Sequence, residues 1–87
     1  MDVESRHDML CQKIFLLLRR ATDNQLNGED ISSETEFTQT GMNSIEYLRL
    51  IDLVETTFDV TIDLVAEKDL NSVGKFVKVL LKQGVVA

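Results

Sequence analysis

The chain has no proline and no tryptophan, and among its 87 residues there are only four glycines, one cysteine and one histidine. Each shortage excludes something. A strand-rich sandwich needs many turn residues, so the lack of Pro and Gly points to helices joined by few loops. One cysteine cannot form an internal disulfide, and with a single His it leaves no set of zinc ligands, so no metal is expected. No stretch approaches the length of a membrane span, and the start Met-Asp-Val-Glu-Ser has neither the basic region nor the apolar run of a secretory signal. These absences predict a cytoplasmic protein with no membrane partner. A start at Met1 with a domain-length chain gives the expectation of a free-standing protein.

What is present suits a single domain over residues 1–87. With 44% hydrophobic residues the chain can bury one core, but it is too small to wall off a separate catalytic cleft. The net charge of −6 is unevenly spread. From Thr22 to Glu67 eleven acids face one base, Arg49, a balance of −10, so the flanks together carry +4. An acidic middle between basic ends argues against nucleic acid and for partners with basic docking patches.

Hydrophobic spacing predicts a first helix from about Glu4 to Ala21. At about 100° per residue, Val3, Leu10, Cys11, Ile14, Phe15, Leu17, Leu18 and Ala21 share one arc, opposite Lys13, Arg19 and Arg20. Met9 and Leu16 fall on the polar side. Cys11 on the apolar face reads as a core thiol, and His7 as a partly exposed side chain near the helix start. A long connection follows to Asn43, with turn chemistry at Asp23-Asn24, Asn27-Gly28 and Gly41. Ile31 and Phe37 are its apolar anchors.

A second helix is predicted over Ser44 to Phe58, burying Tyr47, Leu48, Leu50, Ile51, Val54 and Phe58. Its outer arc holds Glu46, Arg49, Asp52 and Thr56, together with two apolar residues, Ile45 and Leu53. The alternating run Asp59-Val60-Thr61-Ile62 is too short and unpartnered to be a strand, so it reads as a connector dropping Val60 or Ile62 into the core. A short third helix is expected near Leu64 to Asp69, capped by Asp63. Asn71 or Ser72 then caps a last helix with the stripe Val73, Phe76, Val77 and Leu80, which stops near Gly84. The expected fold is all-α, a four-helix bundle of three main helices plus the short third one, with a long first loop.

The segment Gly41-Met42-Asn43-Ser44-Ile45-Glu46 is the one place where the chain offers chemistry. Asn43 is a good N-cap residue and Glu46 lies three positions on, a capping-box arrangement that makes Ser44 the first helical residue. Its hydroxyl would then face solvent beside unpaired N–H groups and the positive end of the helix dipole, where a phosphodiester is favoured. Catalysis has little support. Ser44 has no sequence-evident base, no phosphate loop or nucleophile elbow is present, and Glu34 and Glu36 read as surface charge in a solvated loop.

On these residues the chain resembles the acyl and peptidyl carrier protein family, whose members bear a 4'-phosphopantetheine arm on the Ser of a Gly-apolar-Asp-Ser-Leu/Ile motif. Here the motif reads Gly41-Met42-Asn43-Ser44-Ile45, with Asn43 where the family usually has Asp. The likeness continues through Phe58-Asp59-Val60-Thr61-Ile62 and Glu67-Lys68-Asp69-Leu70-Asn71-Ser72-Val73 and covers the whole chain. It implies attachment at Ser44, with Gly41 and Asn43 shaping the site, and no catalytic residue. It also implies a monomer that meets a phosphopantetheinyl transferase, an acyl-loading or adenylating enzyme, and downstream synthase or tailoring enzymes. The cargo would be fatty acyl, polyketide or aminoacyl, with Arg49 on the outer face of the second helix leaning toward a specialised pathway.

Docking is expected where Ile45 and Leu53 break the polar face of the second helix beside Arg49 and Asp52. Met42 and Glu46 flank that face at its start, and Leu64 and Val65 extend the apolar strip inside an acidic surround. The competing reading is a small acidic helical binding or inhibitor protein that is never modified.

Overall fold

The computed structural model describes residues 3–25 and 31–85, and for Val3 and Glu4 the backbone only. The Asn27-Gly28 turn and the place of Val3 on the apolar arc therefore lie outside the described residues. Three α-helices carry the fold: α1 over Val3–Ala21, α2 over Ser44–Phe58 and α3 over Val73–Lys82, with one turn of 3-10 helix over Phe37–Thr40.

Helix α1 is the central element and packs against both α2 and α3. Its stripe delivers Leu10, Ile14 and Leu18 into the core, where they meet Leu50 and Val54 of α2 and Val73, Phe76, Val77 and Leu80 of α3, all with no exposed surface. Burying one such side chain is worth about 1.5–3 kcal/mol, so this shared core and not helix propensity holds the three elements together. Thr22 ends α1 by donating its hydroxyl to the Leu18 carbonyl at 2.9 Å.

Between α2 and α3 the backbones stay apart, and the gap is filled by a ring from the loop. Phe37, only 4% exposed, sits with its centroid 6.3 Å from Tyr47 of α2 and 6.1 Å from Phe76 of α3. The loop is pinned there by its backbone. The Phe37 N–H donates to the Asn71 carbonyl at 2.7 Å, and the Gly74 N–H donates to the Ser33 carbonyl at 2.8 Å. Glycine suits position 74, since a Cβ would meet that same carbonyl oxygen at 3.1 Å, a tight contact that the Ser33 backbone would have to relax by a few tenths of an ångström. Ile31, the other expected anchor, is half-buried against the core.

The expected short helix at Leu64 to Asp69 is not formed; the chain makes separate turns there. Asp63 does cap, accepting from the Val65 N–H at 2.9 Å and the Ala66 N–H at 3.3 Å, and its carbonyl closes one turn with the Glu67 N–H at 2.8 Å. The turn does not propagate because no apolar residue between the buried Ile62 and Leu70 is buried, so little repays the cost of nucleating a helix. The bundle among the described residues is thus one of three α-helices and no strands. The connector before it behaves as expected. Asp59 closes α2 in a left-handed conformation, and the Glu55 carboxylate accepts from the Ile62 N–H at 2.8 Å, which drops Ile62 into the core.

Candidate functional site at the start of α2

The loop reaches α2 through Gly41, whose φ of 81° lies in the left-handed region where a side chain would be strained. Before it, the Thr40 hydroxyl donates to the Phe37 carbonyl at 2.6 Å and accepts from the Met42 N–H at 3.3 Å. This turn sets Asn43 in the extended conformation that an N-cap requires. The expected capping box is present in full: the Glu46 N–H donates to Asn43 Oδ1 at 2.8 Å, and the Asn43 N–H donates to Glu46 Oε1 at 3.0 Å. Ser44 is the first residue of α2 and is exposed. By helix geometry the N–H groups of Ser44 and Ile45 have no carbonyl below them, so both are available to an anion on the Ser44 oxygen.

Ser44 stands at the edge of a cleft of about 320 Å³. Phe37, Met42, Tyr47 and Leu70 supply its apolar wall, and Thr38, Asn43, Lys68 and Asn71 its polar one. Burial pushes the Tyr47 phenol up from its ordinary pKa, so the ring stays neutral at physiological pH. Asn71 is held in place as its amide donates to Glu36 Oε1 at 3.1 Å. Lys68 takes part in no ion pair among the described residues, whereas Lys82 pairs with Glu67 at 2.8 Å.

The remaining expected site residues scatter. Ile45 is 64% exposed on the outer face of α2, with Arg49 and Asp52 exposed on the same side. Leu64 and Val65 are exposed on the turn after α2, Val65 at 78%. Leu53 differs from expectation: it lies at the margin of the helix, half-buried and packed against the core. Leu48 differs in the opposite sense, being 55% exposed although the periodicity placed it inside. It sits one turn past Ile45 on the same exposed side of α2. Arg49 reaches back to Asp23 at 3.6 Å, an exposed pair worth little in stability.

Sequence reasoning also missed the Phe37–Tyr47–Phe76 cluster and the place of Lys68, Leu70 and Asn71 in the cleft. These residues are brought together by chain reversal, and no local periodicity signals that. Cys11 is buried, its thiol pushed up by that burial and further by the charge of Asp8, with Sγ 3.7 Å from His7 Nδ1. A thiol so placed stays protonated and inert. Among the described residues no group of three His, Cys, Asp or Glu side chains could hold a metal, and no helix is long and apolar enough to cross a membrane.

The described residues thus form an all-α domain with an exposed serine at a capped helix start. The model of the family described as phosphopantetheine attachment site matches residues 17–80, and the chain belongs to that family. Its cofactor is accordingly 4'-phosphopantetheine, bound covalently through a serine. Comparison with curated proteins and with solved structures gave no match. The start of α2 fits such a group: the hydroxyl is accessible, two N–H groups stand free beside it, Asn43 brings no negative charge, and the Glu46 carboxylate is folded back onto the Asn43 N–H.

Proposed function

We propose that this chain is an acyl or aminoacyl carrier protein whose attachment serine is Ser44. The observation that carries the assignment is the exposed Ser44 hydroxyl, first in α2 behind the Asn43–Glu46 capping box and inside the matched family segment. When bound, the arm supplies a terminal thiol that holds cargo as a thioester. The protein's own residues do the rest. Gly41 and Asn43 present the hydroxyl, the free N–H groups of Ser44 and Ile45 balance the charge of a phosphodiester, and the rigid bundle keeps the tethered cargo at high local concentration near each partner.

Partners in this reading are a phosphopantetheinyl transferase, an enzyme that loads an acyl or adenylated aminoacyl group, and the synthase or tailoring enzymes that follow in a polyketide or peptide pathway. They dock on the outer face of α2, where the exposed Ile45 and Leu48 are ringed by Asp52, Glu46 and Arg49, with Leu64 and Val65 on the adjoining connection and Met42 and Leu53 backing the face from the core side. Apolar anchors in a charged rim hold a complex while the rim steers encounter. The family match favours this reading over that of an acidic binder that is never modified.

The test is intact mass. Protein incubated with coenzyme A and a promiscuous phosphopantetheinyl transferase should gain the mass of one arm, and Ser44→Ala should gain none while keeping its helical circular dichroism. An arm on the Ala variant would overturn the assignment.

A further inference from the structure

Between Arg20 and Lys75 the chain has only two bases, Arg49 and Lys68. Arg49 is taken up by Asp23. Lys68 stands between Glu67 and Asp69 in sequence yet pairs with neither, and it makes no ion pair among the described residues. Its side chain instead lines the cleft that Ser44 shares, where it is the one charged group among the described residues.

The fold delivers Lys68 there by holding the chain on both sides of it. Before it, the Glu67 N–H donates to the Asp63 carbonyl and the Glu67 carboxylate accepts from Lys82, each at 2.8 Å. After it, Leu70 is buried in the core and the Asn71 carbonyl receives the Phe37 N–H at 2.7 Å. The backbone at Lys68 is thus tied, while its exposed side chain keeps a flexible four-carbon stem that can swing an ammonium across a small cleft. The neighbouring amides of the lining are already engaged: Asn43 Oδ1 caps α2, and the Asn71 side chain serves Glu36.

A phosphodiester on Ser44 brings a full negative charge into the acidic middle of the chain, in the same turn as the Glu46 carboxylate. The free N–H groups at the start of α2 answer part of it, since a helix N-terminus carries about half an elementary charge. A cation in the same cleft answers the rest, and an ammonium donating to a phosphate oxygen makes a stronger hydrogen bond than a neutral donor does. We propose that Lys68 is a positioning residue that pairs with the phosphodiester on Ser44 and so turns the arm toward residues 67–71 as it leaves the helix. The proposal rests on Ser44 as the attachment site and adds the residue that orients the bound arm.

The test reads the phosphorus itself. The full-length chain is charged by coenzyme A and a promiscuous phosphopantetheinyl transferase, and attachment is confirmed by intact mass. The phosphorus NMR resonance of the phosphodiester is then recorded for the wild type, Lys68→Gln, Lys68→Arg and Lys75→Gln, the last a lysine outside the cleft. Lys68→Gln should move the resonance toward its position in the urea-unfolded chain, Lys68→Arg should hold it near the wild-type position, and Lys75→Gln should leave it unmoved. Raising salt from about 0.01 M to about 1 M shortens the Debye length from about 30 Å to about 3 Å, so it should carry the wild-type resonance toward that of Lys68→Gln and leave the variant's in place. A folded Lys68→Gln with an unmoved resonance, an Arg variant that behaves as Gln does, an equal effect of Lys75→Gln, or a wild-type resonance indifferent to salt would each overturn the pairing while leaving Ser44 as the carrier site. The salt response of the wild type decides the question should Lys68→Gln fail to fold. Absence of any mass gain on the wild type would overturn the attachment reading itself, and the pairing with it.

Discussion

The N–H of Phe37 donates to the carbonyl of Asn71 across 2.7 Å, tying the end of the long loop to the residue pair that precedes α3. That one bond holds the ring of Phe37 between two helices whose backbones stay apart, and it places Asn71 on the rim of the Ser44 cleft. Loop, helix spacing and site are thus one construction. A change in the loop should be felt at the serine.

Phe37→Ala should accordingly be among the costliest substitutions, at about 3–5 kcal/mol for a buried Phe, a large share of the roughly 5–15 kcal/mol that stabilises a typical domain. Chemical denaturation measures it directly. A loss below about 1 kcal/mol would mean that α2 and α3 close on each other without the ring and that Phe37 does not set their spacing.

Much of this arrangement was legible beforehand, for a physical reason. The limits of α2, its Asn43–Glu46 box and the Ser72 cap of α3 depend on residues within four positions of one another, and such short-range chemistry is written locally. The turn at Leu64–Asp69 was misjudged because a capping residue and a few helix-tolerant residues promise a helix only if some face of it is buried, and burial is decided by distant elements. Leu48 and Leu53 exchanged roles for a related reason. On the wheel each lies near the boundary of the apolar arc, where periodicity alone does not decide which margin faces solvent; in the fold Leu48 faces out and Leu53 packs on the core.

At the helix mouth, Asn43→Ala should remove about 1 kcal/mol, the usual worth of an N-cap, whereas Asn43→Asp should stay within about 1 kcal/mol of the wild type because the capping oxygen is kept. The Asp variant should also accept the arm at an equal or higher rate, since an added negative charge beside Ser44 can help engage a metal-dependent transferase. A clear fall in its modification rate would show that the transferase reads the uncharged amide.

Alkaline pH should destabilise the fold through Cys11 and Tyr47. Both acids have folded-state pKa values raised above the ordinary 9.0 and 10.0, chiefly by burial. Below about pH 9 both states hold these protons and stability is unaffected; as pH climbs past the unfolded value, the unfolded chain releases its protons first and is favoured. Stability should therefore decline from about pH 9 upward, and Cys11→Ala should flatten the first part of that decline. At pH 8 native Cys11 should resist iodoacetamide that labels the denatured chain readily; equal labelling rates would show the thiol to be open to solvent.

The outer face of α2 offers the sharpest division between what folds the protein and what partners read. Ile45 and Leu48 are one turn apart and mostly exposed, so truncating either to Ala deletes little buried area and should change stability by no more than about 0.5 kcal/mol. Leu53 packs on the core from the other margin, so Leu53→Ala should cost more, on the order of 1–2 kcal/mol for a half-buried Leu. If partners grip the exposed pair, Ile45→Ala and Leu48→Ala should leave the melting temperature almost unmoved yet slow acyl loading of the arm-bearing protein, chiefly through KM. Leu53→Ala should do the reverse, lowering the melting temperature while loading proceeds normally below it. Raised salt should slow loading of all four proteins alike, because Asp52 and its acidic neighbours steer the encounter whichever apolar side chain anchors it. Unchanged loading by both the Ile45 and the Leu48 variants would move the docking surface off this face of α2.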